Sequence, residues 1–113
     1  MRRVLSKEES RVRYGEGRAL WNEFDPIGVF QIDEDWPKDE YDSYIGPTLR
    51  LVIDGRAVTE IESYVRSVVH EHMGLSETEQ GNEAIREFAR KFSEWYQKHW
   101  AGTELESQES KEN

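Results

Sequence analysis

The stretch Asp33–Asp42 gathers the side chains best able to do chemistry. It holds the carboxylates Asp33, Glu34, Asp35, Asp39, Glu40 and Asp42 and the aromatics Trp36 and Tyr41, with Tyr44 close behind. Oxygen-rich clusters can hold a hard cation such as calcium or magnesium. They can also face a basic partner, with carboxylates steering the encounter and aromatic rings receiving cations. A calcium loop is disfavoured, because Lys38 occupies the sixth position from Asp33, where such a loop needs glycine. Carboxylates near a helix start also stabilise that helix through its dipole, and surface acids promote solubility. Of the functional roles, a docking face for a basic protein leads and a metal-assisted hydrolase is the alternative.

Other candidates are weaker. His70-Glu71-His72 falls on a predicted helix, where residues two apart point about 200° apart and cannot grip one ion. The periodicity predicts His72 on the core face and His70 toward solvent. Asp25-Pro26-Ile27-Gly28 reads as a structural turn: Asp bonds its own backbone, Pro presets one dihedral and Gly tolerates positive φ. There is no Gly-rich phosphate loop, no nucleophile elbow and no cysteine. No catalytic residue, metal ligand or cofactor is therefore assigned. Trp100, beside a polar tail, is a candidate interface anchor.

Composition narrows the setting. The chain has 113 residues, four Trp, five Tyr and four Phe, which suits one packed domain rather than disorder. Its net charge of −9 disfavours nucleic acid as a partner, because phosphate contacts need Lys and Arg. Residues 21–47 carry eight acids and one lysine. No run approaches the roughly 20 apolar residues of a membrane span, and no apolar run follows Arg2-Arg3 as a signal would require. The expectation is a cytoplasmic protein, and the lack of cysteine fits a reducing compartment.

The elements that must position these residues are helical. Ser6 and Glu9 form a capping box for a first helix that carries Leu20, Trp21 and Phe24. Asp39 is the expected N-cap of a second, whose stripe runs Tyr41, Tyr44, Ile45, Thr48, Leu49, Leu51 and Val52; Gly46-Pro47 predicts a kink or break and Gly55 the stop. A third helix is expected over 60–73, with Thr59 and Glu62 as capping box and Gly74 as stop. A fourth is expected over 77–100, opened by Ser76 and Glu79. Tyr64, Val68, Phe88 and Phe92 should be buried between these last two. The segment 25–38 should be a loop with a short extended piece at Val29–Ile32, anchored by Phe30, Ile32 and Trp36.

Trp21-Asn22-Glu23-Phe24-Asp25-Pro26-Ile27-Gly28, followed by Trp36-Pro37-Lys38-Asp39-Glu40-Tyr41-Asp42, resembles a family of small uncharacterised bacterial proteins, a domain of unknown function, over about residues 20–85. The familiar form has Trp-Asp-Pro where this chain has Phe24-Asp25-Pro26. The resemblance implies an all-helical fold and a bacterial cytoplasmic setting, and it brings no activity. The combined expectation is an all-α bundle or orthogonal array of about four helices, with a long acidic connection between the first two. One domain spans 1–101 and a mobile acidic tail 102–113. The expected role is non-catalytic protein binding, sharpened to an immunity-type inhibitor of a basic toxin or nuclease. Its docking residues are Asp33, Glu34, Asp35, Trp36, Asp39, Glu40, Tyr41 and Asp42.

Overall fold

The computed structural model describes residues 4–103, and the fold is all-α. Helix α1 (Lys7–Phe24) opens with both halves of the expected capping box. The Glu9 N–H donates to Ser6 Oγ at 3.1 Å and the Ser6 N–H to Glu9 Oε1 at 3.0 Å. It ends at Asp25, which takes left-handed dihedrals with φ 45°.

The piece expected to be extended is instead one helical turn, α2 (Val29–Ile32). The cause is Asp25. Its carboxylate accepts from the Val29 N–H at 3.1 Å and the Phe30 N–H at 3.2 Å, satisfying two donors that a helix start leaves open. Val29 is buried and Phe30 and Trp36 are half-buried, but Ile32 is 79% exposed and anchors nothing.

Helix α3 (Asp42–Ile53) starts three residues after the expected cap, with Asp39 supplying only a turn carbonyl to the Asp42 N–H. It runs unbroken through Gly46-Pro47. Pro47 and Ser43 are both exposed, so the carbonyl left unpaired by the missing N–H can meet water. Gly55 ends the helix as expected, at φ 77°. Arg56 N–H bonds Leu51 O and Gly55 N–H bonds Val52 O, the paired bonds of a Schellman motif.

Helix α4 (Val58–Ser67) begins two residues early. Glu60, not Glu62, reaches back to the N-cap, accepting from the Ala57 N–H at 3.3 Å, while Glu62 accepts from Arg66 at 2.8 Å. The helix then widens into a π-helical segment, Val68–His72, closed by a Met73 N–H to Val68 O bond of 2.9 Å. An extra residue per turn shifts the side-chain phase. This reverses the expected histidines: His72 is exposed, and His70 is half-buried with Nδ1 2.9 Å from Leu75 O. Because a carbonyl only accepts, Nδ1 is the protonated nitrogen in that bond.

Helix α5 (Glu79–His99) is capped by Thr78 rather than Ser76, with the Gly81 N–H donating to Thr78 Oγ1 at 2.9 Å.

The core sits where α1, α3, α4 and α5 meet. Trp21 is wholly buried, with ring centroids of Phe88 at 4.7 Å, Tyr44 at 5.6 Å and Tyr41 at 5.9 Å. Its indole donates to Thr48 Oγ1, which donates in turn to Tyr44 O, so no polar atom of that chain is left unmet. Val68, Phe88 and Phe92 are buried as expected, but Tyr64 is only half-buried. Gly17 faces the core, where a Cβ would make ordinary contacts with Ile45 at 3.4 Å and Phe92 at 3.6 Å.

Residues 104–113, most of the expected tail, lie outside the described residues. The tail boundary itself moves, because Thr103 is buried. It accepts from Arg13 at 2.8 Å, and its carbonyl accepts from Tyr96 Oη at 3.2 Å. No described helix is long and apolar enough to cross a membrane.

Candidate functional site

The acidic connection between α1 and α3 is held by a buried pair. Tyr41 Oη donates to Asp25 Oδ1 at 2.6 Å and accepts from the Ile27 N–H at 3.1 Å. The same Asp25 carboxylate fixes the start of α2. Burial first, and then the bond to Asp25, push the Tyr41 phenol well above its ordinary value of 10.0. Tyr41 is fully buried and belongs to the core, which removes it from the docking face.

Two further expected docking residues are engaged within the fold. Asp42 receives Arg18 through both oxygens, with Nε at 2.9 Å from Oδ1, and its carbonyl accepts from Tyr14 Oη at 3.2 Å. That two-pronged pair fixes the start of α3 to α1. Glu40 accepts from the half-buried Trp36 indole at 2.8 Å. Trp36 thereby packs along the connection and presents only part of its ring.

The remaining carboxylates face outward. Asp33, Glu34, Asp35 and Asp39 are all exposed. Local bonds hold their backbone. Asp33 Oδ1 accepts from the Asp35 N–H at 2.9 Å, Asp33 O accepts from the Trp36 N–H at 2.9 Å, and Asn22 ties the Lys38 carbonyl to α1 at 3.1 Å. Lys38, the only lysine of the stretch, is exposed and folds back along the connection. Its ammonium donates to Glu34 O at 2.9 Å and lies 4.8 Å from the centre of the Phe30 ring.

The residue that sequence reasoning misplaced is Ile32. The structure exposes it immediately before three successive acids, with Ile27, 38% exposed, earlier in the same connection. One signal was available: a single aliphatic side chain directly followed by Asp33-Glu34-Asp35 has no apolar neighbour on its C-terminal side. The arrangement offers fixed negative charge around an apolar knob. Among the described residues no group of three or more His, Cys, Asp or Glu side chains is placed to hold a metal ion.

Trp100, the other expected surface anchor, is half-buried. Its indole and that of Trp95 both donate to Glu16 Oε1 across the α1–α5 contact. Comparison of the chain with protein-family models, curated proteins and solved structures finds no match.

Proposed function

We propose that the protein is a non-catalytic docking module that captures a basic protein through the acidic turn 32–39. The single observation that carries this reading is Ile32, 79% exposed and followed by three exposed carboxylates. An exposed aliphatic side chain gains free energy when a partner covers it. Carboxylates around it attract a surface of Lys and Arg and orient the encounter. The bonds of Asp33, Lys38 and Asn22 hold the turn in shape beforehand, which reduces the ordering cost of association. The partner's chemistry follows: an apolar pocket rimmed by basic side chains.

An immunity-type inhibitor of a basic toxin or nuclease is the sharper form of this reading. The motif resemblance adds a bacterial, cytoplasmic setting. The acids that remain outward after Tyr41, Glu40 and Asp42 are assigned to the fold are Asp33, Glu34, Asp35 and Asp39, with Trp36 at the edge.

The test is Asp33→Lys combined with Asp35→Lys, compared with the native protein in affinity capture and by circular dichroism. The expected result is native helicity with loss of one captured basic protein, whose association with the purified native chain slows as salt rises. Native helicity with an unchanged set of captured proteins would refute the docking role.

A further inference from the structure

A second concave surface lies between α1 and α5, well separated in sequence from the acidic turn. It is a shallow, solvent-open groove of about 590 Å³, lined by Glu16, Ala19, Leu20, Glu23, Trp95 and His99. Two carboxylates face it, and no Lys or Arg belongs to its lining.

Glu16 is held in an uncommon way. Trp95 Nε1 and Trp100 Nε1 each donate to its Oε1 at 2.9 Å. Indole N–H groups are neutral donors, so they fix the carboxylate in place and leave its charge uncompensated. Among the described residues no Lys or Arg forms an ion pair with Glu16. Glu23 meets Lys91 only at 3.9 Å, with both side chains largely exposed. A carboxylate oriented by two indole N–H groups, in a pocket it shares with Ala19, Leu20 and Trp95, matches the needs of one ligand class. The charge of the ligand meets Glu16, and its hydrocarbon stem covers Ala19, Leu20 and the Trp95 side chain that line the same pocket.

We propose that this pocket binds an organic cation, an ammonium or guanidinium group carried on an aliphatic stem. The cation is either a free small molecule or a Lys or Arg side chain of a peptide. The inference is independent of the acidic turn, because it uses different elements and different residues.

Nitrogen-15 NMR of the full chain tests it directly, because each indole N–H reports a different place. Trp21 bonds Thr48, Trp36 bonds Glu40, and Trp95 and Trp100 bond Glu16. The probes are n-butylammonium chloride, methylguanidinium chloride and the tripeptide amide acetyl-Ala-Arg-Ala, against sodium chloride at matched ionic strength. Saturable movement of the Trp95 and Trp100 resonances, with Trp21 and Trp36 still, supports the site. Tighter binding of the tripeptide identifies a peptide side chain as the source; equal or tighter binding of the small cations identifies a free ligand. Glu16→Gln keeps a side-chain oxygen for both indoles and removes only the charge, so binding should weaken about tenfold or more. Glu23→Gln, which touches neither indole, should weaken binding less and gives a second reading independent of the clamp. Movement no larger than sodium chloride produces, or undiminished binding by Glu16→Gln, would overturn the proposal and leave Glu16 as a fastener between α1 and α5.

Discussion

Replacing Tyr41 with Phe removes one oxygen from the buried centre that shapes the acidic connection. In the native protein that oxygen donates to Asp25 at 2.6 Å and accepts from the Ile27 N–H at 3.1 Å. A hydrogen bond to a charged group contributes about 1.5–3 kcal/mol, and the part-buried Ile27 N–H left without a partner adds at most about 1 kcal/mol. Asp25 keeps its bonds to Val29 and Phe30, which limits the damage. Tyr41→Phe should therefore cost about 2–4 kcal/mol, measured as the shift in urea unfolding followed by far-ultraviolet circular dichroism. A pH signature accompanies it. The folded-state phenol is raised above its ordinary value of 10.0, so the folded protein keeps a proton that the unfolded chain loses. Stability from this group is complete below about pH 10 and is lost above it, by up to about 1.4 kcal/mol per pH unit. Tyr14 and Tyr64 are also raised, chiefly by burial, so the variant should reduce the alkaline slope without abolishing it. A variant within about 0.5 kcal/mol of the native protein at pH 8, or one with the native alkaline slope, would refute the reasoning.

Phe92→Ala should destabilise by roughly 3–5 kcal/mol in the same assay, because Phe92 is fully buried against Phe88 and Trp95 and its removal leaves a cavity. Thr103→Ala should cost about 1.5–3 kcal/mol, since it removes the buried oxygen 2.8 Å from the Arg13 guanidinium; a neutral result by thermal unfolding would mean that the docked end adds nothing. Gly15→Ala should stabilise by about 0.5–1 kcal/mol, because the site is mid-helix and exposed, and a Cβ there meets nothing within 4 Å.

The helices were legible in the sequence wherever apolar spacing left one solution. Ile85, Phe88, Ala89, Phe92 and Tyr96 form the buried stripe of α5 that their steps of three and four predict. Cap positions were less legible, because several residues offered the same chemistry. Ser76 and Thr78 are both good caps, and Glu60 and Glu62 can both reach back to a helix start; which one serves depends on how the preceding turn is closed. The histidine pair reversed because a π-helical segment inserts a phase shift that a constant helical period does not contain. Tyr41 carried two conflicting signals. It stands at the N-cap of α3, in line with that helix's apolar stripe, and also lies among acids; burial decided for the stripe because its hydroxyl finds Asp25. Ile32 went the other way. Val29 takes the core position of α2, and Ile32 ends that turn as the chain leaves in an extended conformation at Asp33.

The docking claim is tested most directly by placing a photo-activatable cross-linking residue at Ile32 and, as a control, at exposed Val12 on α1. Irradiation in cells should join position 32 to one basic protein. That adduct should be absent from the Val12 control and should disappear when Asp33→Lys and Asp35→Lys are added. No adduct specific to position 32, or the same adducts with the acids reversed, would contradict the account.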